Sequence, residues 1–361
     1  MSAKLRYKFI LVFSWITMMN TNANTLDRIS HQACENDQRL NKKYCLELFE
    51  IRALKPSAIG TVLLLPGLFQ NANVYDLAPE EDISLARYIS EKYNLRVFIL
   101  NYRMIGNSEY ISRSGLEDFA MDDIPNAIKY VSKYVNEKIY VIGHSQGAIT
   151  LNLSLSGIYY KDNHYEFSSK VSKERQKYTK AIGLLAGNNK LHFEDKSNPL
   201  HSISKIIYNG RGVLSFFDKV NIQVVSHLFQ AFSFVKLWDV LTIDPSISSE
   251  TKRKLLTRTM EASTSKALTT FTKGVVNKNL QTNEGVDFNL NSKNIFIPVY
   301  HQTYSHDPFS PPMETKRDTF NFIGSQNKVF EIVENQSHED LFLSRELHET
   351  IDPLIQFLIQ Q

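Results

Sequence analysis

Residues 138–147 read KIYVI-GHSQG, and this stretch decides the fold class. KIYVI predicts a buried strand, and the residues after the pentapeptide, AITLNLSLS, are compatible with a helix. A serine between two glycines at such a junction is typical of a sharp strand-to-helix turn that exposes the serine oxygen. Glycine on each side lets neighbouring backbone pass close by, and the helix dipole favours negative charge at the serine. We therefore predict that Ser145 is a nucleophile rather than an ordinary turn serine.

Short apolar segments alternate with helical patterns on both sides of this junction. The alternation predicts an α/β fold with a mainly parallel sheet and helices on both faces. Its core is expected to comprise residues 24–187 and 295–361. The predicted strands are Thr61–Leu65, Arg96–Leu100, Lys138–Ile142, Lys180–Leu185, Ile295–Tyr300 and Lys328–Val333. The predicted helices are Glu80–Tyr93, Asp123–Asn136, one from about Gln146, and one at the chain end.

The regular alternation stops over residues 188–294. An insertion of this length is more than a connection between two sheet strands needs. We predict a mostly helical cap over one end of the sheet. Most of its aromatic side chains are expected to form the cap's own core, and a substrate cavity could use a few of them. These aromatics are Phe216, Phe217, Phe229, Phe232, Phe234 and Trp238.

A serine hydroxyl needs a base to take its proton, and in a fold of this kind the chain order is serine, acid, histidine. His338 follows the strand KVFEIV directly, in a loop that would reach back to the serine, so it is the predicted base. His301, at a strand end, is a weaker competitor. His144 lies inside the pentapeptide and is expected to point away, and His348 lies inside the final helix.

Asp307, just beyond the strand IFIPVY and 31 residues before His338, is the predicted acid that orients the imidazole. Its alternative role is that of a loop-capping aspartate before Pro308. Asp340 is too close to His338 in sequence to reach the far ring nitrogen easily. Asp287 precedes a strand and Asp318 lies in a predicted helix, so both fit the role less well.

Acyl transfer also needs N–H donors for an oxyanion. One is expected to be the backbone N–H of Gln146, directly after the nucleophile. The other should come from the loop after TVLLL, which reads Pro66-Gly67-Leu68-Phe69-Gln70. Position alone favours Leu68, with Phe69 as the second choice.

The N-terminus has the pattern of a signal peptide over residues 1–23. Lys4, Arg6 and Lys8 precede an eleven-residue apolar run, Phe9–Met19, which is too short to span a bilayer. Thr21-Asn22-Ala23 suits cleavage before Asn24, so we expect export to a periplasm or the medium; an uncleaved anchor is the alternative. The two cysteines, Cys34 and Cys45, either close a small loop or remain free thiols.

Charge and motifs exclude several classes of function. The sequence has 41 basic and 38 acidic residues, and the three basic residues of the first 23 account for the excess. The remaining neutral chain argues against a nucleic-acid or anionic-membrane surface. Neither a GxGxxG nor a Walker motif occurs, which disfavours nucleotide binding, and no cofactor is expected. His301, His306 and Asp307 have side chains that can bind a metal, but the sequence offers no matching set of further ligands, so no metal is expected.

The chain resembles the α/β-hydrolases and, within them, is similar to the acid (lysosomal and gastric) lipases. Residues 84–89 through 97–103, residues 119–125, the GHSQG elbow, and residues 263–271 with His306-Asp307 and His338 carry this resemblance. Where the family has a His-Gly pair in the loop that supplies an oxyanion donor, this chain has Pro66-Gly67. The cap from Asn188 to about Met260 matches nothing in the family that can be aligned.

The resemblance implies a serine hydrolase of carboxylic esters, of lipid or acyl-chain type, acting through an acyl-enzyme. An apolar cap favours an apolar acyl group, with transient contact to a lipid interface if the cap opens. A thioesterase, peptidase or polyester depolymerase with the same triad is the alternative. A non-catalytic relative is a further one, although all three triad positions are present.

Overall fold

The computed structural model describes residues 28–53, 58–191, 199–214, 217–221, 241–282 and 285–361. Eight strands form one sheet in the order β1-β2-β4-β3-β5-β8-β11-β12. The strands are β1 Arg28–Asn36, β2 Lys43–Ile51, β3 Thr61–Leu65, β4 Arg96–Leu100, β5 Ile139–His144, β6 Ile158–Lys161, β7 His164–Phe167, β8 Thr179–Leu185, β9 Lys219–Asn221, β10 Ala262–Thr264, β11 Val299–Tyr304 and β12 Lys328–Val333. The helices are α1 Leu85–Tyr93, α2 Leu116–Asp118, α3 Ile124–Val135, α4 Gln146–Leu155, α5 Ser169–Gln176, α6 Pro199–Asn209, α7 Arg211–Leu214, α8 Ser249–Lys254, α9 Ser265–Asn277, α10 Pro312–Asp318, α11 Arg345–His348 and α12 Asp352–Ile359.

The central strands are buried on both faces, as the apolar runs of the sequence predict. In β3, Leu63 and Leu65 face one apolar cluster, which also contains side chains of α3 and α4. Val62 and Leu64 face a second cluster, which contains side chains of α1 and α12. Successive side chains of a strand point to opposite faces, so helices cover both sides of the sheet. The predicted doubly covered, mainly parallel sheet is confirmed.

Two strand predictions need correction. The strand expected at Ile295–Tyr300 begins later, at Val299, and continues to Tyr304. Residues 301–304 (HQTY) have polar groups in their side chains. Their backbone nevertheless pairs with β12, and that of residues 301 and 302 also pairs with β8. No strand is predicted before Thr61–Leu65, but the preceding residues form β1 and β2, which pair antiparallel to each other, and β2 pairs antiparallel to β4.

Cys34 and Cys45 are directly opposite each other in the β1–β2 ladder and form a disulfide. The bridge resolves the choice between a closed loop and free thiols in favour of the loop. It fixes the register of the two antiparallel strands at one edge of the sheet.

A buried ion cluster joins the β1–β2 hairpin to the core. The Arg103 side chain has no solvent exposure; its guanidinium lies 2.7 Å from Asp37 and 2.6 Å from Asp123. Asp122 lies 3.5 Å away, and burial raises the pKa of this carboxyl to about 7. Removing one partner of a buried ion pair leaves an uncompensated charge in a medium that solvates it poorly.

Arg103→Met is therefore expected to lower the free energy of unfolding by about 3–5 kcal/mol. The matched control is Lys129→Met, because Lys129 forms an ion pair with Glu35 at 2.6 Å on the surface. That substitution should cost about 1 kcal/mol or less. Urea unfolding at neutral pH measures both values, and equal losses in the two variants would contradict a structural role for the buried cluster.

The described part of residues 188–294 contains the helices α6, α7, α8 and α9 and the short β9–β10 pair. Phe217 is exposed; the other aromatics singled out in the sequence (Phe216, Phe229, Phe232, Phe234, Trp238) lie outside the described residues, as does the predicted signal peptide. Among the described residues, none of the helices is both long and apolar enough to span a membrane.

Candidate active site

Ser145 occupies a tight turn between β5 and α4. Its backbone is in the left-handed half of the Ramachandran map, with φ 52° and ψ −118°, where a non-glycine residue is strained. A Cβ on Gly147 would lie 2.3 Å from the carbonyl oxygen of Leu65, and one on Gly143 would lie 2.5 Å from Gly147 backbone. These contacts explain both glycines of the pentapeptide. The Ser145 N–H donates to the Leu185 carbonyl at 2.8 Å, which anchors the turn to β8.

The structure brings Ser145, His338 and Asp307 together in one hydrogen-bonded chain. His338 Nε2 lies 2.9 Å from Ser145 Oγ, and His338 Nδ1 lies 2.8 Å from Asp307 Oδ2. Asp307 follows β11 and His338 follows β12, so the ends of three parallel strands supply the three side chains. All three are buried, and Ser145 is the most exposed at 9%.

The surroundings of the aspartate and histidine favour opposite charges on them. Burial raises the pKa of Asp307, but the charge and hydrogen bond of His338 and the Ser310 hydroxyl outweigh it and lower that pKa. Burial lowers the pKa of His338, but the charge and hydrogen bond of Asp307, with the charge of Glu339, outweigh it and raise that pKa. The arrangement therefore stabilises an imidazolium beside a carboxylate.

His144 does not point away from the site, as the sequence led us to expect. Its ring centroid lies 4.8 Å from that of His338, and its Nε2 lies 2.9 Å from the His338 carbonyl oxygen. Burial lowers the pKa of His144 to about 3, so the ring is neutral at physiological pH. A neutral Nε2–H can donate to that carbonyl, which makes His144 a support for the backbone of the histidine loop.

The competing histidines lie away from this chain. His301 is fully buried within β11, packed against the rings of Phe320 and Phe330, and burial lowers its pKa to about 3. His348 is buried in the short helix α11. Neither is among the hydrogen-bond partners of Ser145.

The competing acids also have other partners. Asp340 accepts a hydrogen bond from the Ser337 N–H, and Asp318 forms an ion pair with Arg317. Asp287 accepts from the Asn279 amide and the Asn289 N–H. Asp307 also accepts from the Phe309 N–H, so the capping role considered for it coexists with its contact to His338.

The loop after β3 lies against the serine turn. Gln70 donates from its backbone N–H to the Gly67 carbonyl, and Phe69 has a left-handed φ of 66°. Leu68 lies between Gly67 and Phe69 in this loop, and Gln146 begins α4. A small cavity of about 10 Å³ between Gly67 and Gln146 is lined in part by Phe69, Tyr102, Ile105 and Phe119.

Among the described residues, His144, His338 and Glu339 form the one cluster whose ligand atoms are near enough to share a metal. Each already has a partner. His144 Nε2 contacts a carbonyl, His338 contacts Ser145 and Asp307 through its two nitrogens, and Glu339 accepts from the Gln70 amide. A metal would have to displace these bonds, so the hydrogen-bonded arrangement fits the side chains better.

No protein-family model and no curated protein matches the chain. Solved structures do match it in shape. A soluble variant of monoglyceride lipase from Saccharomyces cerevisiae has a TM-score of 0.62 at 12% identity, over 94% of this chain and 97% of that one. An esterase from Thermogutta terrifontis has a TM-score of 0.58 at 12% identity, over 91% and 99%.

A bacterial membrane phospholipase A matches with a TM-score of 0.55 at 14% identity, over the full length of both chains. The chain therefore has the α/β-hydrolase fold, and the sequence interpretation is confirmed at that level. These neighbours do not single out the acid-lipase branch.

Proposed function

Starting from the α/β-hydrolase fold, we propose that this chain is a serine hydrolase of carboxylic esters that acts through an acyl-enzyme. One observation carries the proposal. A serine in a strained turn is the last member of a hydrogen-bonded series that runs from Asp307 through His338 to Ser145. That is the geometry in which an imidazole can remove a hydroxyl proton while a carboxylate stabilises the resulting charge.

In the proposed cycle, Ser145 Oγ attacks the acyl carbonyl while His338 Nε2 accepts its proton. Asp307 holds the imidazole through Nδ1–H and stabilises its charged form. The backbone N–H groups of Gln146 and Leu68 are the proposed donors to the tetrahedral oxyanion. His338 then returns the proton to the departing alcohol, and water attacks the acyl-enzyme by the same route.

The substrate class that we propose is a lipid or other acyl-chain ester. Phe69, Ile105 and Phe119 place apolar side chains beside Gln146, and apolar surface next to the nucleophile favours an apolar acyl group. Two of the structural neighbours reported above are named as lipases or phospholipases, and one as an esterase. These names support ester hydrolysis in general.

The test uses purified protein lacking residues 1–23, a fluorophosphonate probe, and nitrophenyl esters of two to sixteen acyl carbons. We expect the probe to label the protein stoichiometrically, and peptide mass spectrometry to locate the adduct on Ser145. Turnover should disappear as the label is incorporated, and the preferred chain length should report the size of the pocket. Folded protein that neither reacts with the probe nor cleaves any ester would contradict the proposal.

We also propose that the protein is exported. The disulfide between Cys34 and Cys45 supports an oxidising compartment, because such bridges persist mainly outside the cytosol. The N-terminal pattern of the sequence supports the same location. Fractionation of the expressing cell, with N-terminal sequencing of the exported form, should find a chain that begins at Asn24. Full-length chain confined to the cytosol would contradict export.

A further inference from the structure

Two buried polar side chains outside the triad join the two loops of the candidate site. Gln70 lies two residues beyond Leu68, and Glu339 directly follows His338; they are 2% and 3% exposed. Gln70 Nε2 donates to both carboxylate oxygens of Glu339, at 2.9 and 2.8 Å. Gln70 Oε1 accepts from the Gly67 N–H at 2.7 Å. The mechanism described above uses neither side chain.

The chemistry of the pair fixes the orientation of the amide. An ionised carboxylate only accepts hydrogen bonds, so the NH2 group of Gln70 must face Glu339. The Gln70 oxygen then faces the opposite way, toward the Gly67 N–H, which is a donor. The Gly67 N–H, as a donor, favours the same orientation, because an NH2 group in that place would face another donor. Glu339 and Gly67 therefore hold the two ends of one amide in a single orientation.

The engaged N–H of Gly67 is removed from the set of oxyanion donors. The Gly67 carbonyl also accepts a hydrogen bond, from the Gln70 N–H at 3.3 Å. Both backbone polar groups of Gly67 are therefore bonded to Gln70 within the turn over residues 67–70. The left-handed backbone of Phe69 persists in such a turn only where the surroundings determine it. The next amide along the loop is that of Leu68, and its direction follows from how this turn is held.

Building on the proposed function, we propose that Gln70 and Glu339 are positioning residues that hold the Leu68 N–H where the oxyanion forms. The pair also sets the spacing of the two loops, because Glu339 is covalently next to His338 and Gln70 is in the turn that contains Leu68. Loss of the pair displaces the Leu68 N–H by a fraction of a hydrogen-bond length. Because an oxyanion donor acts on the charge that forms in the transition state, the displacement affects kcat.

The first test variants are Gln70→Met and Gln70→Glu. Methionine removes all three hydrogen bonds of the amide, and glutamate places a second carboxylate against Glu339. In each we expect kcat for the preferred ester to fall about 10–100-fold, with KM within about threefold. The assays are made at pH 8.5, where Glu339, whose pKa burial raises to about 7, is ionised.

The decisive variant exchanges the two side chains, Gln70→Glu with Glu339→Gln. The new amide at 339 donates to the new carboxylate at 70, whose other oxygen accepts the Gly67 N–H. The contact between the two side chains and the bond from the Gly67 N–H are both restored, so kcat should return to within about fivefold of the wild type. A trifluoromethyl ketone, which forms an oxyanion on reaction with the serine, should lose affinity in the single variants in parallel with kcat and regain it in the exchange.

Circular dichroism and thermal melting confirm that each variant is folded, and Glu334→Gln is the matched control because Glu334 is exposed. Folded single variants with unchanged kcat and unchanged ketone affinity would overturn the positioning role. So would an exchange variant that is folded but no better than Gln70→Glu. Ser145→Ala in parallel separates the two proposals: if it retains full turnover, the proposed function itself fails, whatever the other variants do.

Discussion

Substituting Ser145 by alanine is expected to lower kcat for the preferred ester by about 10⁶-fold, because it removes the nucleophile. Initial rates with nitrophenyl esters, on protein free of contaminating esterase, measure the effect. Adding His338→Ala to this variant should cause little further loss. Residues that act as one unit show strongly non-additive effects, and the 2.9 Å contact between Nε2 and Oγ makes these two a unit.

The matched control for this substitution is Ser154→Ala. Ser154 lies in α4, the helix that follows Ser145, and is fully buried. Its hydroxyl is more than two helical turns from the elbow, so its removal should leave kcat within about threefold. A Ser145→Ala variant with activity comparable to this control would show that another group performs the reaction.

Asp307→Asn is expected to lower kcat by about 10⁴-fold, since the amide stabilises neither the working tautomer nor the imidazolium. It should also move the acid limb of the pH profile. In the wild type, where the pKa of His338 is raised, kcat/KM should decline as pH falls through a midpoint above 6.5. In the variant, burial still lowers the pKa of His338 and the opposing charge and hydrogen bond of Asp307 are gone, with only the charge of Glu339 left to raise it, so the residual activity should persist to lower pH.

Asp162→Asn is the control for this change, because Asp162 is exposed in the β6–β7 hairpin turn and has a left-handed φ of 49° that asparagine also accepts. Its pH profile should coincide with that of the wild type. If the acid limb of Asp307→Asn remained where the wild type has it, the carboxylate would not be what sets the pKa of His338.

Much of the fold could be predicted because its central strands are apolar on both faces. TVLLL and RVFIL each form a strand within the predicted bounds, and both are buried almost throughout. KVFEIV does so too, as the partly exposed edge strand β12. The apolar pattern failed to predict a strand where the buried side chains are polar. His301, Gln302 and Thr303 are fully buried in β11, although their polar side chains gave no strand signal. The β1–β2 hairpin was missed because its first strand mixes polar and apolar residues at the sheet edge.

The three side chains of the candidate triad could be predicted because chain order and the ends of strands restrict the choices to a few residues. The structure brings those three together, and their catalytic roles are what the substitutions above test. Gln70 and Glu339 carried no comparable signal. They are 269 residues apart and belong to no spacing pattern, and only the fold reveals that their side chains meet.

The segment from Leu241 to Glu261 is bonded to the site at both of its ends. The Leu241 carbonyl accepts from the Glu339 N–H at 2.8 Å, the Thr259 carbonyl accepts from Asn71, and the Glu261 N–H donates to Phe69. We call these two bonded ends the anchors of the segment. A sequence exchange in its interior would begin and end at these anchors. Exchanges that keep both anchors should leave the reaction rate intact, whereas exchanges that remove either one should impair turnover of every ester alike.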